Sequence, residues 1–188
     1  MIRKSPMQAK LSDAKSSEMK LSEAIKSLER TPGVLNLMLR GLPEKSVHTN
    51  EGDKTFSCYD VVGHLIHAEN TDWMPRIRII LEQGEKQTFT PFDRFAMFNE
   101  HAKQPIEKLL TRFEKLRSQN LTALRALRLK PDSLKLTGRH PDLGIVTLGE
   151  LISCWVVHDF SHISQICRVL AKQRDVGPWK AYMSILNK

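Results

Sequence analysis

Residues 147–173, TLGELISCWVVHDFSHISQICRVLAKQ, decide how this chain is read. Thr147 with Glu150 three positions on is a capping-box signature, in which each side chain satisfies a backbone amide that the first helical turn leaves free. Leu151, Ile152, Trp155, Ile163, Ile166 and Val169 then return at helical spacing, and Gly177 and Pro178 stop the pattern. On this helix His158 and His162 are four apart, which puts them about 40° apart around the axis and about 6 Å apart along it, so both can reach one ion. Leu151 and Trp155 extend their stripe on one side, and Gln165 or Ile166 and Val169 extend it on the other, so both imidazoles point inward. A buried imidazole needs a partner, because an unpaired polar group in a core costs about 1–3 kcal/mol.

Outward from this segment, three further helices are expected. The first covers about Leu21 to Leu42, with Pro32 and Gly33 placed to kink or split it and Gly41 and Pro43 to end it. The second follows Ser57, whose hydroxyl can cap free amides while Asp60 sits in the positive first turn; it runs to Gly84 with a bend at Pro75. The third has Pro105 in its first turn and Ile106, Leu109, Leu110, Phe113, Leu116, Leu121, Leu124 and Leu127 on one stripe, with Pro131 just beyond. Between helices two and three lies a long stretch, Gly84 to Gln104, with a short helical turn expected at Arg94–Asn99. Antiparallel neighbours need only about two to eight connecting residues, so this length points to an end-to-end crossover. The expected fold is all-α, a four-helix bundle in up-down-down-up order with helices two and three parallel.

The chain has 188 residues, 40% of them hydrophobic and 27% charged, as expected of one globular domain able to bury its own core. No apolar run approaches the roughly 18 residues of a membrane span. The opening stretch, MIRKSPMQAKLSDAKSSEMK, is basic and polar and lacks the apolar core of a secretory signal, so a cytoplasmic protein is expected. Residues 1–19 read as a basic extension and 20–188 as the domain. Three cysteines without CxxC spacing argue against a disulfide framework or a thiolate zinc knuckle. The net charge is +8, with a pI near 9.5, but Lys and Arg are interleaved with Glu and Asp as on a solvated helix face. No recognition helix or aromatic stacking platform is evident, which disfavours nucleic acid as a partner.

On helix two, His64 falls on the stripe with Val61 and Leu65, and His67 follows one turn later; either could supply a third nitrogen. Three neutral imidazoles with an open position suit zinc and are acceptable to nickel. Spacing alone also allows a chance pair, each ring bonded to a carbonyl or carboxylate, since the motif lacks the glutamate that makes HExxH specific.

The segments SCYDVVGHLIHAENTDWMPRI and HPDLGIVTLGELISCWVVHDFSHISQICRVLA resemble the helix-two and C-terminal motifs of the DinB/YfiT-like superfamily of metal-binding four-helix bundles. The resemblance places the metal ligands on His64, His158 and His162. It implies nickel or zinc, a homodimer, and a metal-dependent activity such as thiol-dependent S-transfer, isomerisation or hydrolysis on a small molecule, a low-molecular-weight thiol among the candidates. The alternative is a non-catalytic helical binding or stress-response module with a structural metal or none. Around the ligands, His67, Glu69, His140, Asp159 and Gln165 are candidates to line the pocket or support a ring: Asp159 or Glu69 as acceptor of an imidazole proton, Gln165 as pocket wall or ring partner. The turn formers around His140 favour an exposed turn residue there. Cys154 reads as a small core residue and not as a ligand.

Overall fold

The computed structural model describes residues 6–100 and 104–187. Four long helical stretches carry the architecture: α1 (Pro6–Leu39), α3 with α4 (Cys58–Thr71 and Trp73–Glu82), α6 (Ile106–Ala126) and α7 (Leu148–Lys172). Short helices α2 (Glu44–His48) and α5 (Met97–Glu100) lie in the connections. Residues 1–5 of the basic extension are outside the described residues, and the helix begins at Pro6, well before the expected Leu21. Among the described residues no helix is long and apolar enough to cross a membrane.

Side-chain pairs fix the topology. Arg40 meets Thr111 and Leu28 meets Arg117, so α1 and α6 run antiparallel. Tyr59 lies against the Gln104 backbone at one end while Glu69 bonds Arg117 and Asn120 further along, so α3 and α6 run parallel. Thr31 donates to Asp159, and His64 and Glu69 meet His158 and Trp155, which makes α7 parallel to α1 and antiparallel to α3. This is the up-down-down-up order. Leu35, Leu39, Val61, Val62, Leu109, Phe113 and Ile166 fill one half of the core, and Leu28, Trp73, Ile77, Leu121, Leu124, Ile152 and Trp155 fill the other.

The two prolines expected inside helices have different outcomes. Helix α1 continues through Pro32 without splitting. Proline has no N–H to give the carbonyl four residues back, and here the Leu28 carbonyl accepts instead from Arg117 Nη1 at 2.9 Å. Helix two is interrupted at Asp72, ahead of Pro75, with φ −110° and ψ −68°. The Asp72 carbonyl still accepts from the Arg76 amide at 3.1 Å, so α4 restarts at once.

The segment before α7 holds a hairpin that the helical reading omitted. Strand β1 (Thr137–His140) pairs antiparallel with β2 (Gly144–Thr147), Thr137 opposite Thr147 and His140 opposite Gly144. Gly138 is needed here, because a Cβ would fall 2.7 Å from Ile80 Cγ1 and 2.9 Å from the Phe89 ring. The hairpin can therefore seat directly on α4 and on the crossover, whose Phe89 amide donates to the Arg139 carbonyl at 2.9 Å. Part of that crossover forms α5, slightly later than the expected turn at Arg94–Asn99.

Candidate metal centre

Helix α3 starts at a capping box made by Ser57 and Asp60, and α7 starts at the one made by Thr147 and Glu150. These caps set the rotation of two antiparallel helices whose facing turns carry His64 and the pair His158 and His162. The three rings converge: His158 Nε2 lies 3.0 Å from His64 Nε2 and 3.2 Å from His162 Nε2. Among the described residues this is the one group of three side chains able to share an ion. Nitrogens bound at about 2.1 Å to a tetrahedral or octahedral centre stand about 3.0–3.4 Å from one another. The spacings of 3.0 and 3.2 Å fall in that window.

Burial holds these rings neutral. Desolvation, reinforced by the neighbouring imidazoles, pushes His64 down to about 3 and His158 to about 2, and it lowers His162 as well. Neutral nitrogen donors are the form that a metal requires. His162 Nδ1 has a partner in Gln165 Oε1 at 3.0 Å, a bond that leaves Nε2 as a free lone pair when Nδ1 carries the proton. The Nδ1 atoms of His64 and His158 are buried with no partner in the protein. Without an ion, at least one Nε2 in the cluster must carry a hydrogen for these contacts to be attractive; with one, all three lone pairs are used. The donor set has neither thiolate nor carboxylate, which suits borderline ions such as zinc and nickel better than calcium or magnesium.

The triad lies in the wall of a cleft of about 810 Å³. Phe56 and Phe92 approach the His64 ring with centroids at 5.8 and 5.3 Å, and Trp73 meets His158 edge-on at 5.1 Å while stacking on Trp155. Thus the long crossover forms a side of the site through Phe89, Phe92 and Arg94, and the hairpin turn forms another.

The remaining candidates are placed as follows. His67 is buried against Phe92, with ring centroids at 5.2 Å, and stays out of the cluster. His140 is both a turn residue and a cleft residue: its Nδ1 accepts from the amides of Asp142 and Leu143 at 3.1 and 3.2 Å. Gln165 likewise lines the cleft and bonds a ring. Glu69 and Asp159 bond no imidazole. Both carboxylates are committed to Arg117, which reaches Glu69 Oε1 at 2.8 Å and Asp159 Oδ2 at 2.6 Å. Trp155 and Asn120 complete Glu69, and Thr31 completes Asp159. Cys154 is exposed in the cleft wall and not in the core. Sequence reasoning missed Arg117, although a cation on the stripe of Phe113, Leu121 and Leu124 is a visible signal. It also missed Phe92 and Arg94, for which no periodicity speaks.

Fold and cleft together define a four-helix-bundle protein with three imidazoles gathered between two antiparallel helices. The chain belongs to the DinB superfamily, whose match covers residues 27–166. Among solved structures it is similar to YfiT from Bacillus subtilis, described as a probable metal-dependent hydrolase with an unusual four-helix bundle topology. The TM-score is 0.71 at 21% identity, over 92% of this chain and 91% of that one, a likeness that speaks to the fold. No curated protein matches the chain.

Proposed function

We propose that this protein is a metal-dependent enzyme acting on a small molecule, with His64, His158 and His162 holding one divalent ion, zinc or nickel. The observation that carries the reading is the convergence of three neutral imidazoles through their Nε2 atoms, His64 buried and His158 and His162 half-buried, in the wall of an open cleft. When bound, the ion supplies a Lewis acid able to activate water or a thiol as nucleophile, for hydrolysis or S-transfer. The chain's own contributions are distinct. Gln165 fixes the His162 tautomer, the rings of Phe56, Phe92 and Trp73 give the cleft an apolar wall beside the ligands, and α3 and α7 set the ligand spacing before any ion arrives.

A core complete without the ion favours a catalytic site over a structural one. The bundle's buried charges are satisfied by Arg117, Asn120 and Thr31, none of which depends on the triad. The test is the metal content of untagged protein, wild type against His158→Ala and His162→Ala. About one zinc or nickel per chain, lost in both variants with helicity kept, is the expected result. Wild-type protein that neither carries nor takes up metal would remove the triad reading and leave a non-catalytic helical module.

A further inference from the structure

The charges around the cleft indicate what enters it. Arg76 pairs with Asp72 at 2.7 Å, and Arg168 grips Glu51 through two bonds of 2.6 Å. Arg94 differs. It lines the same cleft from the crossover and has no carboxylate partner among the described residues; its guanidinium lies over exposed Phe95, 5.6 Å from the ring centroid. Two positions before it, Phe92 packs edge-on against His64 with ring centroids 5.3 Å apart, so Arg94 and the triad belong to walls of the same cleft.

Such a placement is unfavourable on its own. Three imidazoles are neutral ligands and bring no negative charge to a divalent ion. The nearby carboxylates of Glu69 and Asp159 already serve Arg117. An unpaired guanidinium beside a dication held by neutral ligands repels it, and an anion placed between the two relieves both charges. A planar fork of donors is also the side chain best shaped for a carboxylate or a phosphonate.

We propose that Arg94 is the specificity-determining residue of this cleft. It selects a small anion whose negative group lies between the guanidinium and the triad and whose apolar body rests on Phe56 and Phe92. The inference rests on the metal reading above and deepens it by naming the substrate class.

Calorimetric titration of the zinc-loaded full-length chain tests it, with phenylphosphonate as the anionic aryl probe and benzamide as its neutral counterpart. Wild type is expected to bind phenylphosphonate and not benzamide. Arg94→Gln should weaken phenylphosphonate by about 10- to 100-fold, the range for losing a charge-assisted pair, with zinc affinity unchanged or tighter. Arg94→Lys should restore part of the loss. Wild-type affinity in Arg94→Gln, equal binding of benzamide, or no binding of phenylphosphonate by wild type would overturn this inference while leaving the metal site standing. Failure of wild type to take up either zinc or nickel would overturn both.

Discussion

Two polar clusters lie side by side between α3 and α7, and they are built on opposite principles. Around Arg117, every donor has an acceptor: Glu69, Asp159 and the Leu28 carbonyl take its protons, while Thr31, Asn120 and Trp155 complete the carboxylates. Around His158, three Nε2 atoms face one another, and the Nδ1 atoms of two rings have no partner. The first cluster is finished by the protein and the second awaits something from outside. A buried group left incomplete in an otherwise satisfied core is a mark of function, since the fold gains nothing from it.

The sharpest way to break this comparison is Arg117→Met. Two buried carboxylates would lose their cation, and urea unfolding should show a loss of about 3–5 kcal/mol. A loss under about 1 kcal/mol would mean that the cluster is not structural.

Acid should act on the other cluster. In metal-free protein the imidazoles of His64 and His158 titrate at about 3 and about 2, against an ordinary 6.5. Between those values the unfolded chain binds protons that the folded chain does not, so stability is present above 6.5 and is lost as pH falls, until the folded rings themselves protonate. Two such groups predict a drop of about 2 kcal/mol between pH 6.5 and 5.5. Denaturant midpoints measured across that interval should fall less steeply in His158→Ala, and an equal slope would place the proton uptake elsewhere.

The smallest expected effect sharpens the comparison instead of breaking it. Gln165 gives the triad its single ring partner on the Nδ1 side. Gln165→Leu should weaken metal binding by about tenfold, read by chelator competition, without changing unfolding in the metal-free state. An unchanged metal affinity would show that the ring is held by packing alone.

How much of this was readable in the sequence follows from the range of each interaction. Capping boxes at Ser57 and Thr147 are local, and so were visible. The His158 and His162 pair is one turn of one helix, and the length of the crossover betrayed the parallel α3 and α6. The Arg117 cluster joins four helices, and nothing local says that Glu69 and Asp159 face it and not the imidazoles. The hairpin at Thr137–Thr147 was hidden because its strands are short and its turn, with Pro141, Asp142 and Gly144, reads as loop. Pro75 was visible as a breaker of helix two, and the interruption falls at Asp72, next to the Thr71 carbonyl that a residue with an amide at position 75 would have bonded.

Pro32 looked like a flaw in α1, yet its missing amide leaves one carbonyl on the helix surface without a donor. A guanidinium buried between helices needs such an acceptor, and an unbroken helix offers few. Sliding α1 by one turn against α6 would strand both the Leu28 carbonyl and the Arg117 proton that now meets it. The imperfection therefore works as a registration mark: it tells the longest helix how far along its neighbour to stop.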